Sequence, residues 1–403
     1  MHKFNTTRRP EETTDPCDYG SARAAQLMSG ADSAGQLVGF ALFPTIGALS
    51  DAYGRRPLLL ISQLLHVVPA AFLFLYAEHD LSIYYFLGGK VVSASVGGGV
   101  IGMAYTADIV PSEQRSVAFG ILLATAATGL MLAPVGANFT LGHAALAALS
   151  LHVSASLICF GLLEETVDLN PKRRHSEEQK KEMRPDRLLK AILGPKYRRY
   201  ALIATLHGAV GKGLQDIGPY FMSRSLGFTP QRLGAFIVVL ALTALVAQAA
   251  ILRSLIGRFG ELGVLRLALL SAAAAYVSFF GSAVLGSEAT PFVAAATFLP
   301  LSTLSIPVLT ALVANQASPA EQGTLQGSLH SLINLGQAIG LLVLPLVYRS
   351  AGAAVYLVGA AMEMLNFAIA VSDSGGGSAG GGNREIQIES GYGSISKDDE
   401  EDP

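Results

Sequence analysis

The fold class this sequence predicts is an all-α polytopic membrane protein, and three observations predict it. The chain is apolar: 51% of its 403 residues are hydrophobic and only 14% are charged, against about a quarter charged in an ordinary soluble domain. The apolar residues fall in blocks of roughly 20, the helix length that crosses a bilayer's hydrocarbon core. The segments 82–107, 117–138 and 264–285 are clear instances. Those blocks also lack the period-3.6 polar positions by which a soluble core helix keeps one face in water. The same composition excludes other classes. A formal net charge of −2 leaves no basic surplus for nucleic acid. Cys17 and Cys159, the second inside an apolar run, make neither a disulfide framework nor a zinc spacing. The polar start MHKFNTTRRPEETTDP contains no apolar core of a cleavable signal peptide.

The elements follow in order. A polar N-terminal segment, 1–24, precedes five expected spans at about 25–50, 57–77, 82–107, 117–138 and 143–163, which make a first bundle, 25–163. A central loop, 164–198, carries dense mixed charge and reads as solvated. Six further spans, at about 199–221, 231–252, 262–285, 290–315, 324–347 and 352–371, make a second bundle, 199–371. The remainder, 372–403, opens on the linker GGGSAGGG, ends in the acidic KDDEEDP and reads as disordered. Eleven spans are therefore expected.

Lys and Arg mark one side of the membrane. The central loop holds them from Lys172 to Arg199, and counting spans outward puts Arg55, Arg56, Arg115, Arg253 and Arg258 on that side. The opposite loops carry only Arg224, Arg232 and Arg349. The positive-inside trend makes the loop at 51–56, the central loop and the C-terminus cytosolic.

An internal repeat links the bundles. PSEQR at 111–115 recurs as PAEQG 208 residues later, and DAYGR at 51–55 has a degraded echo, GRFGE, 206 residues later. Parallel six-span repeats are one way transporters are built. Shifted back by that offset, the span that starts near Tyr200 has its counterpart before residue 1. The first bundle is therefore expected to lack its first helix, with truncation the favoured reason. The arrangement leaves Lys3, Arg8, Arg9 and Arg23 outside, against the charge trend.

The stretch GALSDAYGRRPLL at 47–59 resembles the loop signature of the major facilitator superfamily, which joins its second and third helices. AYTADIVPSEQRSVAFG at 104–120 is similar to that superfamily's junction between the fourth and fifth helices. LGFTPQRLGAFIVVLALTALVAQ (226–248) and IPVLTALVANQASPAEQGTLQG (306–327) resemble its hippocampus-abundant-transcript-like branch, near the tetracycline-resistance-type antiporters. The resemblance covers about 23–371 and implies the major-facilitator fold of two helical bundles. Ala52 stands where that signature usually has a basic residue, and the G-x-x-x-G-P antiporter-type signature survives only in Gly129 and Ala133-Pro134. Those departures weaken the case for antiport.

The opening loop has its own chemistry. Gly54 permits a sharp reversal, and Pro57 suits a first helical turn because no N–H is needed there. Asp51 is expected to face the positive end of the helix that follows while pairing with Arg55. The resemblance implies that Asp108 completes a carboxylate–guanidinium–carboxylate cluster, a latch between the halves to which Gly47, Arg56 and Arg115 also belong. The plainer alternative is a positive-inside anchor with a capped turn, for which the acidic members are superfluous.

Charges within spans are costly and so are candidates. The resemblance places Lys90 about where the superfamily's cavity-facing basic residue sits. Lys212 and Asp216 are one turn apart and share a face. Asp216 is a candidate protonation site or an ion-pair partner for Lys90 or Lys212; the alternative is a structural pair near the membrane surface. His207, shortly before Lys212, ranks ahead of His66, His152 and His330, since a lone membrane histidine is more often a packed donor. Asp32 lies near an outer end, and Glu363 falls in the last span, peripheral in the resembled fold, where a protein-facing hydrogen bond is expected. Asn315, Asn334, Gln248 and Gln337 line a polar path or act as helix–helix glue. SASVGGGVIG (93–102) reads as a packing surface, since no strand or GK[ST] accompanies it. Pro134, Pro219, Pro307 and Pro345 are expected to kink their helices. Asn5 and Asn138 match glycosylation acceptors, the second in too short a turn to serve.

The expected function is secondary active transport of a small solute by alternating access. Proton coupling is left open at Asp216, and a cytosolic partner is left open for the acidic tail. No metal set, cofactor or nucleotide signature, and no nucleophile–base pair of an enzyme, stands out. The rival is a non-transporting, transporter-shaped receptor or trafficking adaptor, favoured by the loss of a cavity-lining first helix.

Overall fold

The structure, a computed structural model, describes residues 16–136, 139–167, 190, 192–317 and 321–372. The first 15 residues, most of the central loop, the tail from 373 and both glycosylation acceptors lie outside them. All regular structure among the described residues is helical. The first half holds α1 (Pro16–Tyr53), α2 (Arg55–His79), α3 (Ile83–Ser93), α4 (Gly98–Ile109), α5 (Arg115–Gly136) and α6 (Leu141–Leu162). The second holds α7 (Arg198–Ser225), α8 (Pro230–Val246), α9 (Leu252–Leu285), α10 (Ala289–Ser302), α11 (Ser305–Ala314), α12 (Gln322–Ala351) and α13 (Val355–Val371). The expected polar segment 1–24 is already helical from Pro16.

Local chemistry sets the boundaries. Thr140 caps α6 by accepting from the His143 amide, and Thr229 caps α8, which has Pro230 in its first turn. The α9 helix stops at Gly286, whose φ of 60° is a left-handed cap. Two expected spans, 82–107 and 290–315, are each two helices. The first breaks at 94–97, ending in Gly97 at φ 58°; the second breaks at 303–304. Those breaks sit one repeat apart, on the offset that relates PSEQR to PAEQG. Pro307 stands in the first turn of α11 rather than at a mid-helix kink, because its missing N–H is no loss there.

Seven helical stretches among the described residues are long and apolar enough to cross a membrane, fewer than the eleven expected. Pro230–Leu285 and Gln322–Val371, of 56 and 50 residues, each hold two expected spans, and the first is kinked between them at Gly260, whose φ of 68° and ψ of 169° are not helical. A π-helical turn, Ala247–Ile251, carries α8 into α9 without a break. The α7 helix is not among the seven, because Lys212 and Asp216 interrupt its apolar character and Arg198, Arg199 and Arg224 crowd its ends. The chain is an integral, multi-pass membrane protein.

Between the halves α1 lies along α12, and α5 lies along α8. Within the second half α12 also packs on α7, at backbone distance. A Cβ on Gly336 would overlap the Thr205 carbonyl oxygen, and one on Gly340 would overlap that of Ala209. Small residues let helices approach this closely in lipid, where no hydrophobic drive exists between them. Two buried clusters fill the second half. One surrounds Tyr200, Leu265, Leu309 and Leu329; the other stacks Phe221, Phe279 and Tyr356. The α6 helix instead turns Leu151, Leu157, Phe160 and Leu162 outward, as expected of a face that meets lipid.

Candidate functional site

The charged loop folds as a knot at the central-loop end of the bundle. Gly54, at φ 100°, reverses the chain between α1 and α2, a backbone shape that L side chains rarely adopt. Arg55 turns inward and is 1% exposed. A buried guanidinium must be paired, and it is: Nη1 lies 2.6 Å from Asp51 Oδ1, and Nε donates to Asp108 Oδ2 at 3.0 Å. The Ser50 hydroxyl accepts a further bond from Nη1. The three-membered cluster expected of Asp51, Arg55 and Asp108 is thus assembled.

Asp51 does not face the start of α2, as expected; it crosses to the other half. Its Oδ1 accepts from the Gly323 amide at 2.8 Å, and its Oδ2 accepts from the Thr324 amide and hydroxyl, both at 2.7 Å. Those groups open α12, so the carboxylate sits on the positive end of a helix from the second half. Close approach makes this possible: a Cβ on Gly47 would overlap the Gly323 carbonyl oxygen. The amides that open α2 go to Glu165, which sequence reasoning missed. Its two oxygens accept from Arg55 N at 2.8 Å and Arg56 N at 3.1 Å. It also accepts from its own neighbours Thr166 N and Val167 N. Asp51 leaves α1 one turn before the reversal and points outward to α12, whereas Glu165 returns along α6 straight onto the α2 terminus. Arg56 packs over the Phe160 ring and donates to the Phe160 carbonyl at 2.7 Å.

A second tie mirrors the first. The Ser116 hydroxyl, at the start of α5, donates to Glu261 Oε1 at 2.5 Å. Arg115 reaches the Ala314 carbonyl at 3.2 Å and Asn315 Oδ1 at 3.3 Å, both in the second half, and the Ala107 carbonyl at 3.0 Å in its own. Ser116 and Thr324 stand 208 residues apart, so corresponding hydroxyls of the repeat each donate to a carboxylate from the opposite half. The echo GRFGE is structural as well. Gly260 has φ 68° where Gly54 has 100°, 206 residues earlier. Glu261 could have been found from that echo; nothing in the motif singled out Glu165.

The charges within spans pair otherwise than expected. Lys90, on α3, meets Asp32 on α1 at 2.6 Å, with both side chains partly open to solvent. Asp216, on α7, accepts from the Ser29 hydroxyl of α1 at 3.0 Å. Neither Lys90 nor Lys212 is its ion-pair partner, and Lys212 makes no ion pair among the described residues. Ser29 and Asp32 are three residues apart on α1 and so share a face, and that face holds the partners of both Asp216 and Lys90. Asp32, ranked low from sequence, is the ion-pair partner of Lys90. His207 is nine residues from Asp216, half a turn out of phase. It faces into the second half, where Nδ1 lies 2.9 Å from Glu363 Oε1. Glu363 is fully buried and makes the protein-facing hydrogen bonds expected of it, to His207 and Asn366. Gln248 donates to Thr303 Oγ1 at the break between α10 and α11, and Asn315 to Glu261. No group of metal-ligating residues is found among the described residues.

Comparison with known proteins follows the same lines. The family description that matches is Major Facilitator Superfamily, over residues 17–341. The chain is 26% identical over 325 residues to the mouse hippocampus abundant transcript 1 protein, which takes in 75% of this chain and 62% of that protein. The chain thus spans less than two thirds of that relative's length. It is 27% identical over 344 residues to the class C tetracycline resistance protein of Escherichia coli, covering 82% and 83% of the two chains. Among solved structures, the human organic anion transporter MFSD10 (TETRAN) superposes with a TM-score of 0.73 at 25% identity, over 85% of this chain and 83% of that one. The E. coli fucose:proton symporter FucP has the same fold, with a TM-score of 0.64 at 14% identity over 86% and 91%.

Proposed function

Because the chain belongs to the Major Facilitator Superfamily, we propose that it is a secondary active transporter that carries a small solute by alternating access, with the halves rocking about the ties at the central-loop end. The observation that carries this reading is the crossing of Asp51 to the α12 N-terminus. A positive-inside anchor needs no carboxylate on the partner half, whereas a gate that closes and opens does. In the closed arrangement the loop charges neutralise one another and two helix ends. When the halves separate, Asp51 leaves Gly323 and Thr324 for water, while Arg55 keeps Asp108. Gly47, Gly54, Arg56 and Arg115 shape and brace that joint. The Lys and Arg pattern supports a cytosolic location for this end and for the C-terminus.

The solute site of this reading is the shared face of α1, α3 and α7, with Ser29, Asp32, Lys90, Lys212 and Asp216 at hand. Fixed charges of both signs suit an ionised organic solute, oriented by one pair and released when the pair re-forms. Asp216, an exposed carboxylate with a hydroxyl partner, is a protonation site of the scheme. Proteoliposomes holding the full chain test it with a panel of organic anions, the class named for MFSD10, and tetracyclines, with and without an imposed pH gradient. Uptake lost in Lys90→Ala and uncoupled from the gradient in Asp216→Asn is the expected result. No uptake of any panel member, by protein that remains folded, refutes transport and leaves the adaptor reading.

A further inference from the structure

We infer that the second half contains a one-proton site built from His207, Glu363 and Ser305. The site deepens the transport reading, on which it rests only for what the proton drives. His207 stands between two partners. Its Nδ1 is 2.9 Å from Glu363 Oε1, and its Nε2 is 2.6 Å from Ser305 Oγ. Ser305 opens α11, and its hydroxyl also lies 2.8 Å from the Ser302 carbonyl oxygen. The other Glu363 oxygen accepts from Asn366 Nδ2 at 3.1 Å. Glu363 is fully buried and Ser305 nearly so, while the ring keeps 12% of its surface.

Counting hydrogens on this chain of groups leaves two arrangements. Ser305 has one hydroxyl hydrogen. If it goes to the Ser302 carbonyl, His207 Nε2 must donate to Ser305, and the Nδ1–Oε1 contact needs a proton of its own. That proton is held either as ring N–H on a carboxylate or as carboxyl O–H on the ring, and the pair is neutral in both forms. If the hydroxyl instead turns to Nε2, that nitrogen is an acceptor, and Nδ1–H donates to an ionised Glu363. The second arrangement has one proton fewer and a net charge of −1. The heavy atoms stay where they are; one hydroxyl rotates and one proton leaves Nε2, at the partly open ring, for water. The two arrangements are a loaded and an unloaded form of the same site.

The surroundings favour loading. An uncompensated carboxylate is costly at this depth, and among the described residues no cation but the ring lies within ion-pair distance of Glu363. On α9, Tyr276 packs against Gly359, one turn before Glu363, and Arg266 is engaged with the Ala370 carbonyl at 2.9 and 3.1 Å. On α13 itself Tyr356 is two turns away. On α12 the half-buried His330 has a buried Nε2 without a hydrogen-bond partner, and Tyr348 and Arg349 lie near that helix's far end. The α11 helix has no titratable side chain, and α8 has only Arg232, in its first turn. Lys212 and Asp216 lie on the other face of α7. Because the chain of bonds ties α7, α11 and α13, unloading changes the charge at the point where a cavity helix meets the break between α10 and α11.

The test is spectroscopic and needs no solute. The full chain in lipid nanodiscs is titrated from acid to alkaline pH, with infrared difference spectra reading carboxyl groups and nitrogen-15 shifts reading histidine rings. The expected result is a carboxyl or imidazole signal that titrates as one proton and is lost in both Glu363→Gln and His207→Gln. It persists in Asp216→Asn and shifts its midpoint in Ser305→Ala. A signal that survives Glu363→Gln overturns the site. Should the two replacements fail to fold, the wild type decides alone: no His207 ring nitrogen that changes state across the range also overturns it. Titration without uptake by proteoliposomes keeps the site and refutes transport, and uptake without titration does the reverse.

Discussion

Replacing Asp51 by Asn tests the gate at its joint. The side chain keeps its shape, loses its charge and places an NH2 group where one oxygen faced donors. Three hydrogen bonds reach the carboxylate from α12, at 2.8, 2.7 and 2.7 Å. Bonds to a charged group contribute about 1.5–3 kcal/mol each against an unmade bond. In the separated state water replaces them, and Asn retains one acceptor. The differential loss is then about 3 kcal/mol, a roughly 100-fold shift of the equilibrium toward separation of the halves at this end. Arg55 remains paired with Asp108, so the loop itself survives. Spin labels at Ile109 and Phe259 read the shift. Both residues are exposed; Ile109 follows Asp108 in the first half, and Phe259 lies two residues before Glu261 in the second. They are introduced as cysteines in a Cys17→Ser, Cys159→Ser background. The distance distribution between them should move outward in Asp51→Asn and return with Asp51→Glu if the longer acid still reaches. An unchanged distribution in the Asn variant refutes the latch, whatever uptake does.

Three further outcomes are expected. Glu165→Ala strips the acceptor from the amides of Arg55 and Arg56 and should cost about 2 kcal/mol, as for a lost helix cap, read as a lower Tm in detergent; a Tm equal to wild type would show that water caps α2 equally well. Gly340→Ala should cost about 1–3 kcal/mol by forcing α7 from α12, whereas Gly211→Ala, with open space around it, should stabilise by about 0.5–1 kcal/mol; equal effects on Tm would sink the close-packing account. A double-mutant cycle on Lys90→Ala and Asp32→Ala should return a coupling of about 0.5–1 kcal/mol, since the pair is partly solvated, and additive losses would mean that the pair is not formed.

How much was legible beforehand differs from residue to residue. Helical character, the breaks in charge and the reversal at Gly54 are consequences of composition and local sterics, so the chain text carries them. The latch members Arg55 and Asp108 could be named because they belong to a motif. The span count came out differently in part because helix runs on through the charged joints of Pro230–Leu285, at Arg253, Arg258 and Glu261, and of Gln322–Val371, at Arg349, with the non-helical Gly260 dividing the first. The breaks at 94–97 and 303–304 were hidden for the opposite reason: small and hydroxyl residues continue an apolar run while their backbones leave the helix.

By itself, then, the sequence determined that this protein is a helical membrane protein with a repeated architecture, and where its charged loop must turn. Apolar length and local backbone preference suffice for that. Only the tertiary structure decided partnership: Asp51 with α12, Glu165 with α2, Lys90 with Asp32, Asp216 with Ser29, and His207 with Glu363. Helical phase states which residues share a face, but the neighbour that face meets depends on how closely glycines let backbones approach and on the angle of crossing. Hydrogen-bonding groups 53 to 273 residues apart in the chain are therefore brought within about 3 Å by packing alone.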